Sequence, residues 1–509
     1  MTNDKDKSKR IAKNTLLLYF RMIFMMLITL YTSRIVLNAL GVEDYGIYNV
    51  VGGFVSLFSV INASLMVAIM RFITFELGTN NKEEQNKIFC TAINIEILMS
   101  MIIFIIAETI GLWFLDNKMI IPSDRLFAAK IVYQFSVFTF ILNLISIPYR
   151  STIVAHEKMS TFAYLSIIEA IWKLIVAYAI FITPFDKLIT YGFLYLLIAV
   201  FIRAVYGIYC TKKFEECTYR IIFDKKLFKR MLNFAGWETI GSGAASIRDQ
   251  GSNILINMFF GAAVNAARAI SMHVYSAIEG FVQNFMMALN PQITKSYAQD
   301  DKKYLMNLIY KGAQYSFYLM FTLSLPVILN TYYILKLWLN IVPEHTVNFV
   351  RITLMIGLVN TFSRTLVTAQ NATGKNKWYQ IIIGGTNLLT LPFAYISLKM
   401  GGPSEAVFIV TLGIEVIRLF LRLPILKRMI NINIKDFFIK VVVKPLSISL
   451  ISAFIPFIIY KSTETSLVNF LSVTVISLMC SCSCIYFLGL SQNEKNIVNK
   501  KVRGVLHHE

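Results

Sequence analysis

Charge is scarce in this sequence: Asp, Glu, Lys and Arg make up 15% of its 509 residues, where a soluble domain carries roughly a quarter. Polar stretches of domain length are missing too, because apolar runs recur from Leu16 to Leu490 with only short loops between them. Together with a hydrophobic content of 56%, these absences argue against a soluble enzyme or binding module and make lipid the solvent for most of the chain. The six cysteines contain no C-x-x-C pair, so neither a zinc site nor a disulfide framework is indicated. The CSCSC stretch at 480–484 looks metal-like, but residues two apart on a helix point about 200° apart. These cysteines read better as small apolar side chains. The histidines His156, His273, His345, His507 and His508 form no metal or triad grouping, and no metal is expected.

Apolar stretches near the length that spans a bilayer place helices at about 15–40, 45–70, 88–114, 127–149, 160–183, 188–210, 230–260, 262–290, 305–330, 347–371, 377–400, 404–427, 439–460 and 467–490. The expected fold class is therefore an all-α integral membrane protein of about 14 transmembrane helices. The basic start, MTNDKDKSKRIAK, resembles a secretory leader, but the apolar run after it is too long for a signal core and reads as the first helix. An even number of spans puts both termini on one side. That side collects Lys5, Lys7, Lys9, Arg10 and Lys13, and the densest basic loop, Lys212, Lys213, Arg220, Lys225, Lys226, Lys229 and Arg230. Opposite loops hold only Lys118, Arg125, Lys130, Lys187, Lys336, Lys399 and Lys461. Positively charged loops stay in the cytoplasm, so both termini are expected there. Topology thus accounts for the net charge of +20 without a nucleic-acid partner.

An internal repeat shows when SRIVLNALG, from Ser33, is set beside SNILINMFFG, from Ser252. Both end on glycine, and the following helices end in RFIT (71–74) and PQIT (291–294) before polar turns. This supports two six-helix lobes in parallel pseudo-repeat, 1–215 and 216–430, with 431–509 an appended helix pair and a cytoplasmic tail.

LGVEDYGIYNVVGGFV at 40–55 and INMFFGAAVNAARAIS at 256–271 are similar to stretches of the bacterial polysaccharide-export flippases. These are the O-antigen and capsule lipid-linked oligosaccharide flippases, of the superfamily that also holds multidrug and toxin extruders and the lipid II flippase. The resemblance implies an alternating-access transporter, not an enzyme. Its implied cargo is an undecaprenyl-diphosphate-linked oligosaccharide, carried from the cytoplasmic to the periplasmic leaflet of the inner membrane. It further implies a monomer with no cofactor beyond a coupling H⁺ or Na⁺, surrounded by membrane lipids and other polysaccharide-assembly membrane proteins.

Ionisable groups inside spans cost about 2.5–3.5 kcal/mol each on insertion scales, so each suggests a cavity or an ion pair. Glu169 and Lys173, four apart, and Glu415 and Arg418, three apart, read as local neutral pairs. Arg203 and Arg351 lie near span ends and read as snorkelling side chains. GWETIGSGAASIRDQGSN at 236–253 is harder to dismiss. Its small residues could serve close helix packing, but Glu238 and Asp249, eleven apart, fall about 20° apart on one face. They are the candidate ion-coupling residues. A lipid diphosphate is anionic, and the arginine fork matches phosphate oxygens. Arg34, Arg248, Arg268 and Arg364 lie on helices 1, 7, 8 and 10, which the resemblance turns toward the cavity, and are the candidate substrate-binding residues. The alternatives are a multidrug extruder or a lipid II flippase of the same superfamily, and a membrane polysaccharide polymerase or ligase. A cavity for cationic drugs calls for acidic lining, and a polymerase generally carries a large periplasmic loop, longer than the connection at about 115–126.

Overall fold

The computed structural model describes residues 2–56, 58–117, 121–339, 342–462, 466–492, 494–496 and 499. Lys118, Lys500, Lys501, Arg503, His507 and His508 lie outside them. The described residues are helical with no strand. In chain order α1 is Arg10–Gly41, and α2 runs on from it through Ser56 and continues as Ser59–Thr79. Then come α3 (Lys82–Asn117), α4 (Leu126–Ala155), α5 (Met159–Ile182) and α6 (Lys187–Lys213). One continuous helix, Lys225–Ala298, bends at Gly261 into α7 and α8. It is followed by α9 (Lys302–Leu329), α10 (Thr346–Thr373), α11 (Lys377–Lys399), α12 (Ala406–Ile430), α13 (Ile434–Ser462) and α14 (Leu467–Gly489). Eleven of these helices are long and apolar enough to cross a bilayer. The other three, α7, α8 and α12, have the length but break their apolar runs with charge, among them Glu238, Arg248, Asp249, Arg268, Glu279, Glu415, Arg418 and Arg422.

Two glycines do in the backbone what a loop does elsewhere. Gly41 has φ 79° and ψ 170°, and Gly261 has φ 78° and ψ −173°. Only glycine adopts this region without strain. These are the glycines that close the two repeat segments. Each lets one transmembrane helix turn straight into the next, so the internal similarity read in the sequence marks a shared backbone device.

The chain forms two compact units. The first holds Met1–Gly243, Met287–Asp301 and Gly374–Lys377. Its core includes Leu65, Ile69, Phe72, Ile88, Ile95, Leu144 and Phe234, and a second cluster packs around Val132, Tyr133 and Leu188. α2 extends beyond the apolar run that marks it in the sequence because its last turn packs on the end of α8. A methyl at Gly78 would lie 2.7 Å from the Ala298 Cβ, a small-residue contact that brings backbones together. Helix starts follow their caps. Asn81, Asp186 and Asp224 accept hydrogen bonds from the backbone N–H groups of Glu84, Ile189, and Lys226 and Leu227. Each such cap contributes about 1 kcal/mol.

Glu157, at positive φ in the turn between α4 and α5, knits the same unit together. Its carboxylate, 1% exposed, meets Arg10 Nε at 2.9 Å and Lys295 Nζ at 2.8 Å. Gln292 Nε2 donates to it at 2.6 Å, and Asn14 donates to its carbonyl.

The second unit holds Ala244–Met286, Lys302–Thr373 and Trp378–Glu509. Ile256, Ala267, Phe349, Ala394 and Phe408 form a core cluster within it. α11 carries a π-helical turn at Gln380–Gly384, just before Asn387, a distortion common beside functional sites.

A candidate substrate cavity

Within the second unit α7, α8, α10, α11 and α12 surround a cavity of about 570 Å³. Small residues at Ala245 and Ser252 open the α7 wall, and Thr353, Asn360, Ser363 and Thr411 add neutral hydrogen-bonding groups. Five arginines reach the lining, Arg248, Arg268, Arg364, Arg418 and Arg422, against two carboxylates, Asp249 and Glu415. Their excess is a formal charge of +3 from side chains alone, reduced to +2 by Glu279, which ion-pairs with Arg364.

The arginines are neutralised unevenly. Arg248 is held on three sides: Nη2 meets Asp249 Oδ1 at 2.9 Å, and Nη1 donates to Glu415 Oε1 at 2.7 Å and to Asn387 Oδ1 at 2.9 Å. Arg418 pairs with the same oxygen of Glu415, three residues away on α12. Arg268 and Arg422 make no ion pair among the described residues. Arg268 donates to the carbonyl oxygen of Asp249 at 2.9 Å and to Asn253 Oδ1 at 3.3 Å, and Arg422 donates to the Tyr379 hydroxyl at 3.0 Å. Neutral acceptors orient these two guanidiniums and leave their charge in place, and guanidinium N–H donors lie in planar forks whose geometry matches the oxygens of an anion.

The structure brings four of the six residues singled out in the sequence into this cavity: Arg248, Asp249, Arg268 and Arg364. The other two lie elsewhere. Arg34 is exposed on α1, and Glu238 is partly buried on the stretch of α7 that belongs to the first unit. The α7 lining begins at Ala245, and eleven residues of helix span about 16 Å, so a shared face does not carry Glu238 to the same space as Asp249. Glu415 and Arg418 do form the pair expected from their spacing, but that pair also lines the cavity and recruits Arg248. Arg422 escaped notice in the sequence. Its signal is there: Glu415, Arg418 and Arg422 fall at i, i+3 and i+7, one stripe of a helix.

The fold is that of known transporters. An outward-facing multidrug resistance MATE family transporter of the MOP superfamily superposes with a TM-score of 0.72 at 11% identity, over 84% of this chain and 96% of that one. A MATE transporter in its bent conformation gives 0.73 at 12% identity, again over 84% and 96%. A MOP superfamily transporter from Pyrococcus furiosus, noted for the reversed polarity of its binding pocket, gives 0.70 at 12% identity over the same shares. No curated protein matches the sequence. The chain has the multi-pass helical fold of the MOP superfamily transporters. Within that class it belongs to the polysaccharide biosynthesis protein family, whose model matches residues 11–297.

Proposed function

We propose that this transporter flips an undecaprenyl-diphosphate-linked oligosaccharide from the cytoplasmic to the periplasmic leaflet of a bacterial inner membrane, by alternating access. The observation that carries the reading is the arginine excess of the cavity, above all the carboxylate-free Arg268 and Arg422. A diphosphate carries two or more negative charges, which match the residual formal +2. The neutral hydroxyl and amide groups of the wall supply partners for sugar hydroxyls. A cationic drug would meet the wrong sign of charge, which disfavours a multidrug extruder. Both termini face the cytoplasm on the strength of the basic loops. Transport is coupled to H⁺ or Na⁺, with Asp249, whose side chain is 46% exposed, as the ion acceptor.

The test is flipping of a fluorescent undecaprenyl-diphosphate-linked glycan in proteoliposomes. Arg268→Glu should lower the rate at least tenfold at unchanged reconstitution, while Arg268→Lys keeps part of it, since the charge survives but the fork is lost. Transport of a lipophilic cation by the wild-type protein, without flipping of the glycolipid, would refute the reading in favour of a drug extruder.

A further inference from the structure

The contact between Arg248 and Glu415 joins α7 to α12 through a single oxygen. Glu415 Oε1 serves both Arg248, at 2.7 Å, and Arg418. Its other oxygen, Oε2, is buried without a hydrogen-bond partner, and so is Nε of Arg418. A carboxylate 2% exposed normally satisfies both oxygens, because an unmet buried acceptor is expensive. Here one oxygen is doubly used while the other is idle. Donor capacity and acceptor capacity are left unspent on opposite sides of one ion pair, beside the cavity.

We propose that Arg248–Glu415 is an exchangeable ion pair, in which Glu415 holds on Arg248 the place that a phosphate oxygen of the cargo takes. The inference rests on the anionic-cargo reading above. In the empty cavity Glu415 balances two guanidiniums at once, and this lowers the cost of carrying buried positive charge through a conformational change without cargo. When a phosphate arrives, Arg248 turns to it. Its remaining anchors, Asp249 on the adjacent position and Asn387 on α11, keep the guanidinium at the wall. Glu415 is not stranded, because Arg418 lies three residues along the same helix and has an unused Nε with which to take the carboxylate alone. The exchange leaves Arg248, Glu415 and Arg418 each with an opposite charge in both states. It also sets a threshold for binding: a ligand must outcompete a carboxylate already seated on the arginine, which favours a multiply charged phosphate over a singly charged anion. In the same step the α7–α12 link opens, so cargo binding and the packing of two cavity helices change together.

The experiment measures binding of inorganic pyrophosphate, and of undecaprenyl diphosphate in mixed micelles, to the purified full-length protein. Glu415→Gln keeps the shape and removes the competing charge, so it should tighten pyrophosphate binding about tenfold or more. Arg248→Gln should weaken it by a similar factor. In the double variant the Glu415→Gln gain should vanish, the signature of two groups acting through each other. Glu415→Asp, which retracts the carboxylate and keeps the charge, should give intermediate tightening and serves where the Gln variant folds poorly. If Glu415→Gln or Glu415→Asp binds no tighter than wild type while Arg248→Gln binds more weakly, Glu415 only orients Arg248 and the exchange is refuted, with the anion cavity intact. If neither the wild-type protein nor any variant binds pyrophosphate or undecaprenyl diphosphate, the cargo reading itself fails and takes the exchange with it.

Discussion

Alanine at Gly41 and alanine at Gly46 are the same chemical change five residues apart, and the structure requires them to act in opposite directions. Neither position has a heavy atom within 4 Å of where the new methyl would sit, so packing plays no part. At Gly41 the backbone has φ 79°, a region that costs a residue with a side chain about 1–3 kcal/mol. Gly46 is in regular helix, where alanine is favoured over glycine by about 1 kcal/mol. The two variants should therefore differ by about 2–4 kcal/mol. For a cooperative unit of about 250 residues, 1 kcal/mol moves the melting temperature by about 2 °C, so Gly41→Ala should melt about 2–6 °C below wild type and Gly46→Ala up to about 2 °C above it. The first unit contains its own reporters, since Cys90, Cys210 and Cys217 are buried and react with a thiol-sensitive dye only on unfolding. Cys482 is exposed, and Cys480 and Cys484 are partly so; all three are replaced by serine to remove background. Gly261→Ala, followed by far-UV circular dichroism, should repeat the Gly41 result, and the double variant should show the sum of the two losses. Equal melting of the Gly41→Ala and Gly46→Ala proteins would refute the claim that these bends are held by glycine's backbone freedom.

Two further outcomes follow from charges outside the cavity. Glu157→Ala strips a partly buried Lys295, whose side chain is 20% exposed, of its buried carboxylate partner and should cost about 3–5 kcal/mol, whereas Arg10→Ala removes a partner 52% exposed and should cost under about 1 kcal/mol; thermal unfolding in detergent ranks the two, and equal losses would contradict the buried-clamp account. At the start of α12, burial pushes the Glu405 carboxyl up, but hydrogen bonds from Asn348, His345, its own backbone N–H and Ser404 outweigh it and bring the group down to about 2. A depressed carboxylate stabilises the fold fully above its unfolded value of about 4.3 and loses that contribution as pH falls toward 2, so the acid limb of the wild-type stability curve should flatten between those values in Glu405→Gln.

Much of the fold was legible because bilayer thickness imposes a length on every apolar run. α9 to α11, α13 and α14 begin and end within a few residues of those runs. The clearer departures occur where a polar helix end finds a protein partner. α2 carries on to Thr79 against Ala298, and α7 begins at Lys225 on the Asp224 cap, neither of which an apolar window registers. The repeat was visible only as scattered identities, yet it contained the two glycines whose backbone angles nearly coincide.

The cavity was half legible, for a reason rooted in what one helix can reveal. Spacing along α12 reports that Glu415 and Arg418 can meet, and they do. It is silent on Arg248, 167 positions earlier in the chain, which reaches the same oxygen from α7. Depth and charge alone therefore overcount: Arg34 and Glu238 satisfy both and lie outside the lining, while Arg422, overlooked, lies within it. The better signal was the failure of hydropathy itself. α7, α8 and α12 are the helices that miss the apolar standard while keeping charge along their length, and all three line the cavity. A helix facing lipid on every side has no use for an arginine, and one facing only other helices can neutralise it locally. A run of span length that keeps several unlike charges must have a polar space to turn them toward, so in this chain the departures from a good membrane helix mark the walls of the site.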